Sequence, residues 1–148
     1  MTRATILLLL TAPAAFGQYP TIPKAVQAAE ELAAAGDTVN LIWKGPLRED
    51  DREQQVQVVE GFTSQHVDGM VLAPLDVRAL ARPVEEAKAA GVPTVIIDSG
   101  LESDAYVSYV ATDNTKGGEL AADRIGDLLG GKGNVLVLRL QEGSASTT

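Results

Sequence analysis

Five of the six residues from Val92 to Ile97 are Val, Ile or Thr, and the run is bounded by Gly91 before it and by Asp98-Ser99-Gly100 after it. Side chains branched at Cβ suit a pleated surface better than a helix, so this run reads as a strand. Its apolar residues are continuous rather than alternating, which is the pattern of a strand covered on both faces. Sheets covered on both faces are parallel sheets whose strands are joined by helical crossovers. Pro93 stands in the first turn, where a strand tolerates the missing N–H. A chain that contains such a strand has to supply neighbours of the same kind with helices between them.

The rest of the sequence supplies them. Ala4 to Leu10 is a short apolar run, followed by a loop from Thr11 to Tyr19 and a helix from Ile22 to Ala35 that Gly36 stops. Thr38 to Trp43 is the second strand. A helix is expected from near Arg48, with Glu49, Asp50 and Asp51 at the positive end of its dipole and Val56, Val59 and Phe62 or Thr63 on its buried side. Gly69 to Ala73 is the third strand, Asp76 caps the turn after it, and Pro83 lies near the start of a helix running to Ala90. Tyr106 to Ala111 is a fifth strand. Asn114 or Thr115 caps a helix carrying Leu120, Ala121, Ile125, Leu128 and Leu129, Gly130-Gly131 closes it, and Asn134 to Leu140 is a last strand. The expected fold class is α/β with a doubly wound parallel sheet. The first seventeen residues also carry a second reading, a secretory signal with Arg3, the apolar Ile6 to Leu10 and a small-x-small site at Ala15-Phe16-Gly17.

Composition removes several functions. The 148 residues contain no Cys and one His, which excludes disulfides, thiolate metal sites and cysteine nucleophiles, and leaves His66 as the only residue for a histidine-based triad. The net charge of −8 offers no basic footprint for nucleic acid or an anionic membrane. No apolar run reaches the roughly 18 residues of a membrane span. Gly126 to Gly133 nearly spells a phosphate-binding loop around Lys132, but it leaves a helix and enters a strand, the reverse of what presents amides to phosphate. Gly143-Ser144-Ala145-Ser146 lacks the second glycine of a nucleophile elbow. Neither an enzyme nor a cofactor is expected.

In an open parallel sheet, ligands collect at the carboxyl ends of the strands. The loops there hold Phe16 and Tyr19, Lys44 and Arg48, Asp76, Asp98 and Ser99, Asn114, and Glu142, Ser144 and Thr147. A carboxylate at a strand end accepts hydrogen bonds from neighbouring hydroxyls of a sugar, while an aromatic ring covers the C–H face of the same molecule. The expected ligand-binding residues are Asp98, Ser99, Phe16, Tyr19, Asp76, Asn114, Glu142 and Ser144.

Trp43-Lys-Gly-Pro-Leu-Arg-Glu-Asp-Asp51, Val71-Leu-Ala-Pro-Leu-Asp76, Gly91 to Gly100, Ala111-Thr-Asp-Asn114 and Gly117-Gly118 together resemble the ribose-binding-protein-like (type 1) family of periplasmic sugar-binding proteins. The resemblance implies a two-lobed clamp that closes on a sugar-like solute and delivers it to an ABC transporter permease, without inserting in the membrane. It implies residues 1–111 as the first lobe, and 112–148 as a hinge with the first helix and strand of an incomplete second lobe. It also implies a periplasmic or cell-envelope location and, for Asp98, contact with sugar hydroxyls. The family often follows that aspartate with arginine, where this chain has Ser99. The effector domain of a LacI-type regulator shares fold and resemblance, and requires a helix-turn-helix ahead of the first strand.

Overall fold

The computed structural model describes residues 3–9, 21–48, 50–138 and 142–145, with residues 3–9 and 21–25 described for their backbone alone. The elements are β1 (Arg3–Leu9), α1 (Thr21–Ala34), β2 (Thr38–Lys44), α2 (Arg52–Ser64), β3 (Gly69–Leu72), α3 (Ala81–Ala89), β4 (Thr94–Ile97), β5 (Ser108–Val110) and α4 (Asn114–Leu128). The strands form one sheet in the order β2-β1-β3-β4-β5, and every pairing is parallel. β1 lies inside it, in register with β2 from Arg3↔Thr38 to Leu9↔Lys44 and with β3 from Ile6↔Gly69 to Leu9↔Leu72.

The order reverses at β1. With right-handed crossovers, α1 falls on one face of the sheet and α2 and α3 on the other, the doubly wound arrangement expected from the sequence. α2 and α3 pack on each other. Val59 and Phe62 of α2, Leu72 of β3, Val84 and Ala87 of α3, and Ile96 of β4 are buried in one cluster, joined by Leu80 just ahead of α3. The Lys44 ammonium lies 5.3 Å from the centre of the Phe62 ring.

Local chemistry moves several boundaries. α2 begins at Arg52 rather than near Arg48, because Asp51 is its N-cap and accepts from the Gln54 N–H at 2.9 Å, while Arg48 folds onto Asp50 ahead of the helix. Asp113, not Asn114 or Thr115, caps α4 and accepts from the Lys116 N–H at 2.8 Å. β4 starts at Thr94, after Pro93 has given its carbonyl to the Met70 N–H. His66 stands just past the C-cap of α2 at φ 50°, a left-handed position at the helix stop rather than in its last turn.

The largest departure is the final strand. Residues 134–138 of the expected Asn134–Leu140 strand are not paired with any strand of the sheet, and Leu136 and Leu138 are 83% and 86% exposed. An apolar, β-branched run has the propensity for a strand, but a strand exists only beside a partner. α4 likewise buries none of its residues, and Leu120, Ile125 and Leu128 are exposed. Among the described residues no helix is long and apolar enough to cross a membrane.

Candidate functional site

The carboxyl ends of β3 and β4 carry the polar groups. Gln55, fully buried on α2, reaches the loop after β3 with both ends of its amide: Nε2 donates to the Ala73 carbonyl at 2.8 Å, and Oε1 accepts from the Leu75 N–H at 2.9 Å. The sequence reading passed over Gln55. The signal was there, since residues 55, 59 and 62 share one helix face and only the first is polar.

That loop ends in Asp76. Its Oδ1 accepts from the N–H groups of Arg78 and Ala79, both at 2.9 Å, and its Oδ2 accepts from Arg52 Nη1 at 2.8 Å. Burial by itself would raise the Asp76 pKa. The hydrogen bonds from Ala79, Arg52 and Arg78 outweigh it and hold the carboxyl below its ordinary value. The Arg52 pKa is raised by its hydrogen bond and charge pairing with Asp76, with Glu142 adding to the effect. The turn-capping expected of Asp76 is present, and the protein itself engages both oxygens.

Residues 142–145 lie across these strand ends. The Gly143 carbonyl accepts from the Val77 N–H at 3.1 Å, Ser144 is buried, and Ala145 Cβ stands 3.5 Å from where a side chain on Gly100 would begin. Beside them is an open concavity of about 1000 Å³, rimmed by Asp50, Glu53, Glu102 and Glu142 against Arg52 and Arg78. Asp98 and Ser99 do not line this space. They occupy the neighbouring strand end, and the concavity lies beside that end, lined among the described residues mainly by charged side chains and the loop after β3.

Asp98 directly follows β4 in a left-handed conformation, φ 64°, which side chains rarely adopt. Its N–H donates to the Val110 carbonyl at 3.0 Å, tying the turn to the end of β5. The carboxylate is exposed, and the Ser99 hydroxyl donates to its Oδ2 at 3.2 Å. A residue held in a costly conformation at a strand end, with its carboxylate turned to solvent, has the form of a binding group. The hydroxyl of Tyr109, on β5, lies 3.8 Å from where a side chain on Gly100 would begin, so an aromatic ring stands next to this turn. The sequence reading did not single out Tyr109.

The structure thus brings Asp76 and Glu142 to one concavity, places Ser144 next to them, and pairs Ser99 with Asp98. Asn114 is exposed in the first turn of α4, away from the concavity's lining. Phe16 and Tyr19 lie outside the described residues, as does Thr147. Among the described residues no group of three or more His, Cys, Asp or Glu is arranged to hold a metal ion.

Comparison with known proteins bears on the family and the fold. The sequence profile of the periplasmic binding protein domain matches residues 17–148. The chain is 39% identical over 99 residues to the ribose import binding protein of Bacillus subtilis, covering 67% of this chain and 32% of that protein. It is 27% identical over 106 residues to the xylitol-binding protein of Mycolicibacterium smegmatis, covering 72% of this chain and 30% of that one. An ABC transporter solute-binding protein from Agrobacterium vitis, solved with D-fucose, superposes with a TM-score of 0.82 at 30% identity over 97% of this chain and 49% of its own. A carbohydrate transporter solute-binding protein from Agrobacterium radiobacter, in complex with D-arabinose, gives 0.85 at 30% identity over 99% and 50%. The chain therefore spans about a third of the length of these curated relatives and about half of these solved structures.

Proposed function

Since this chain belongs to the periplasmic binding protein domain family, with its type 1 α/β fold, we propose that it forms part of a solute-binding protein that captures a sugar or sugar-like solute for an ABC importer. The observation that carries the reading is Asp98, a carboxylate presented to solvent from a left-handed residue at the carboxyl end of a central-sheet strand. Adjacent sugar hydroxyls donate to such a group as a pair. Ser99 orients the carboxylate, and Tyr109, with Phe16 and Tyr19 from the loop after β1, supplies rings for the C–H face.

In this reading residues 1–111 are the first lobe and 112–148 a hinge with the start of a second. Ser144, Glu142 and Asn114 approach the solute from the second-lobe side, and Asp76 acts through the shape of the β3–α3 loop. The partner is an ABC transporter permease, the location is the periplasm or cell envelope, and the chain performs no catalysis.

The test is a titration of the full chain with pentoses, hexoses and sugar alcohols, followed by Trp43 fluorescence and thermal stability. A solute that binds the native state raises the unfolding midpoint. One sugar should do so, and Asp98→Ala should remove the shift while leaving the folded circular dichroism spectrum intact. A sugar shift that survives Asp98→Ala unchanged counts against the assignment of this site.

A further inference from the structure

We propose that Gly143, Asp76 and Arg52 form a latch that seats the 142–145 loop across the carboxyl ends of β3 and β4, and that solute binding depends on this latch. The second half rests on the solute-binding reading above; the first half stands without it.

The receiving side of the latch is rigid. Both Asp76 oxygens are held, one by two backbone N–H groups of its own turn and the other by Arg52 Nη1 at 2.8 Å. The loop that carries Asp76 is itself pinned by the buried amide of Gln55. A carboxylate fixed at three points cannot swing aside to admit a neighbour.

The incoming side is fitted to it. Gly143 has φ +88°, in the region that glycine adopts without strain, and a Cβ added there would land on Asp76 Oδ2 and within 3.0 Å of Cγ. Every other residue type thus fails at this position twice, by conformation and by contact. The close approach is what brings the Gly143 carbonyl to the Val77 N–H at 3.1 Å, outside any helix or strand. Once Gly143 is seated, Ser144 is buried and Ala145 reaches the Asp98-Ser99-Gly100 turn. Gly143 is accordingly a positioning residue: it delivers Ser144 to the strand end that carries Asp98.

The Val77 amide reads the latch directly, because its N–H is given to Gly143. Its hydrogen exchange would be followed in the full chain and in Gly143→Ala, with the Met70 amide, donated to Pro93 within the sheet, as the reference for global stability. Gly143→Ala should speed Val77 exchange on the order of tenfold or more, the effect of the roughly 1–2 kcal/mol that a left-handed alanine costs, with Met70 unchanged. Arg52→Gln, which leaves the Gly143 backbone alone and loosens the carboxylate, should give a smaller rise of the same sign. Unchanged Val77 protection in Gly143→Ala overturns the latch. Binding of D-ribose, D-arabinose and D-fucose, titrated in parallel by Trp43 fluorescence, should weaken by a similar factor in Gly143→Ala. Binding at full strength with Val77 unprotected overturns the coupling. A parent chain that binds neither these three nor any other pentose, hexose or sugar alcohol of the panel above defeats the coupling together with the solute reading, and Val77 exchange then decides the latch by itself.

Discussion

Asp76 and Asp98 are two aspartates that follow neighbouring strands, and their surroundings divide their work. Asp76 is buried under four hydrogen-bonding and packing partners, and its depressed pKa makes its charge a source of stability. A carboxyl whose folded pKa lies below its unfolded value contributes that stability in full above the unfolded pKa of about 3.9, and the contribution is lost as pH falls through the folded one. Stability should therefore fall on acidification below about pH 4. Asp76→Asn should be less stable than the parent at neutral pH and show a flatter acid limb, measured as the urea midpoint by circular dichroism from neutrality down to about pH 2. Asp98 has the opposite character, exposed and held by one hydroxyl and a backbone bond. Its place after a strand was legible in the sequence, because the strand before it is so plain. Its left-handed φ was not, nor was the nearness of Tyr109, which follows from the parallel register that sets Ile96 beside Tyr109.

Among the elements, α2 does more than cover the sheet. Through Gln55 it fixes the loop after β3, and through Arg52 it fixes the aspartate at that loop's end. Gln55→Leu keeps the size of the side chain but removes both buried hydrogen bonds that the amide makes to the loop. A loss of about 1–3 kcal/mol in unfolding free energy is expected, from two hydrogen bonds at roughly 0.5–1.5 kcal/mol each, and denaturant titration measures it. The elements that sequence reading located well, such as α1 and β2, are those with local signals: a periodic face, a cap or a glycine stop. The run after Gly133 carries a strand's composition just as clearly, yet residues 134–138 pair with no strand of the described sheet. Composition reports what a segment is suited to, while pairing depends on residues far away in sequence. The helix starts at Arg52 and Asn114 were misplaced for a smaller reason: with Asp50, Asp51, Asp113 and Asn114 all able to cap, only geometry selects one.

At the scale of the whole molecule, the described residues expose apolar surface that is contiguous in sequence, from Val135 to Leu138, with Leu120, Ile125 and Leu128 on α4. Exposed apolar surface of this kind drives association. The purified chain should show concentration-dependent association in sedimentation velocity, and Leu136→Lys with Leu138→Lys should suppress it without changing the unfolding midpoint. The position of β1 has a consequence for how the chain comes into being. Both of its edges belong to strands made after it, β2 on one side and β3, ending at Leu72, on the other. At about 5–20 residues per second β1 waits several seconds before the strand on its second edge is complete. Synthesis of these strands thus runs from an interior strand outward, and β1 is the strand that most needs a binding factor to shield it.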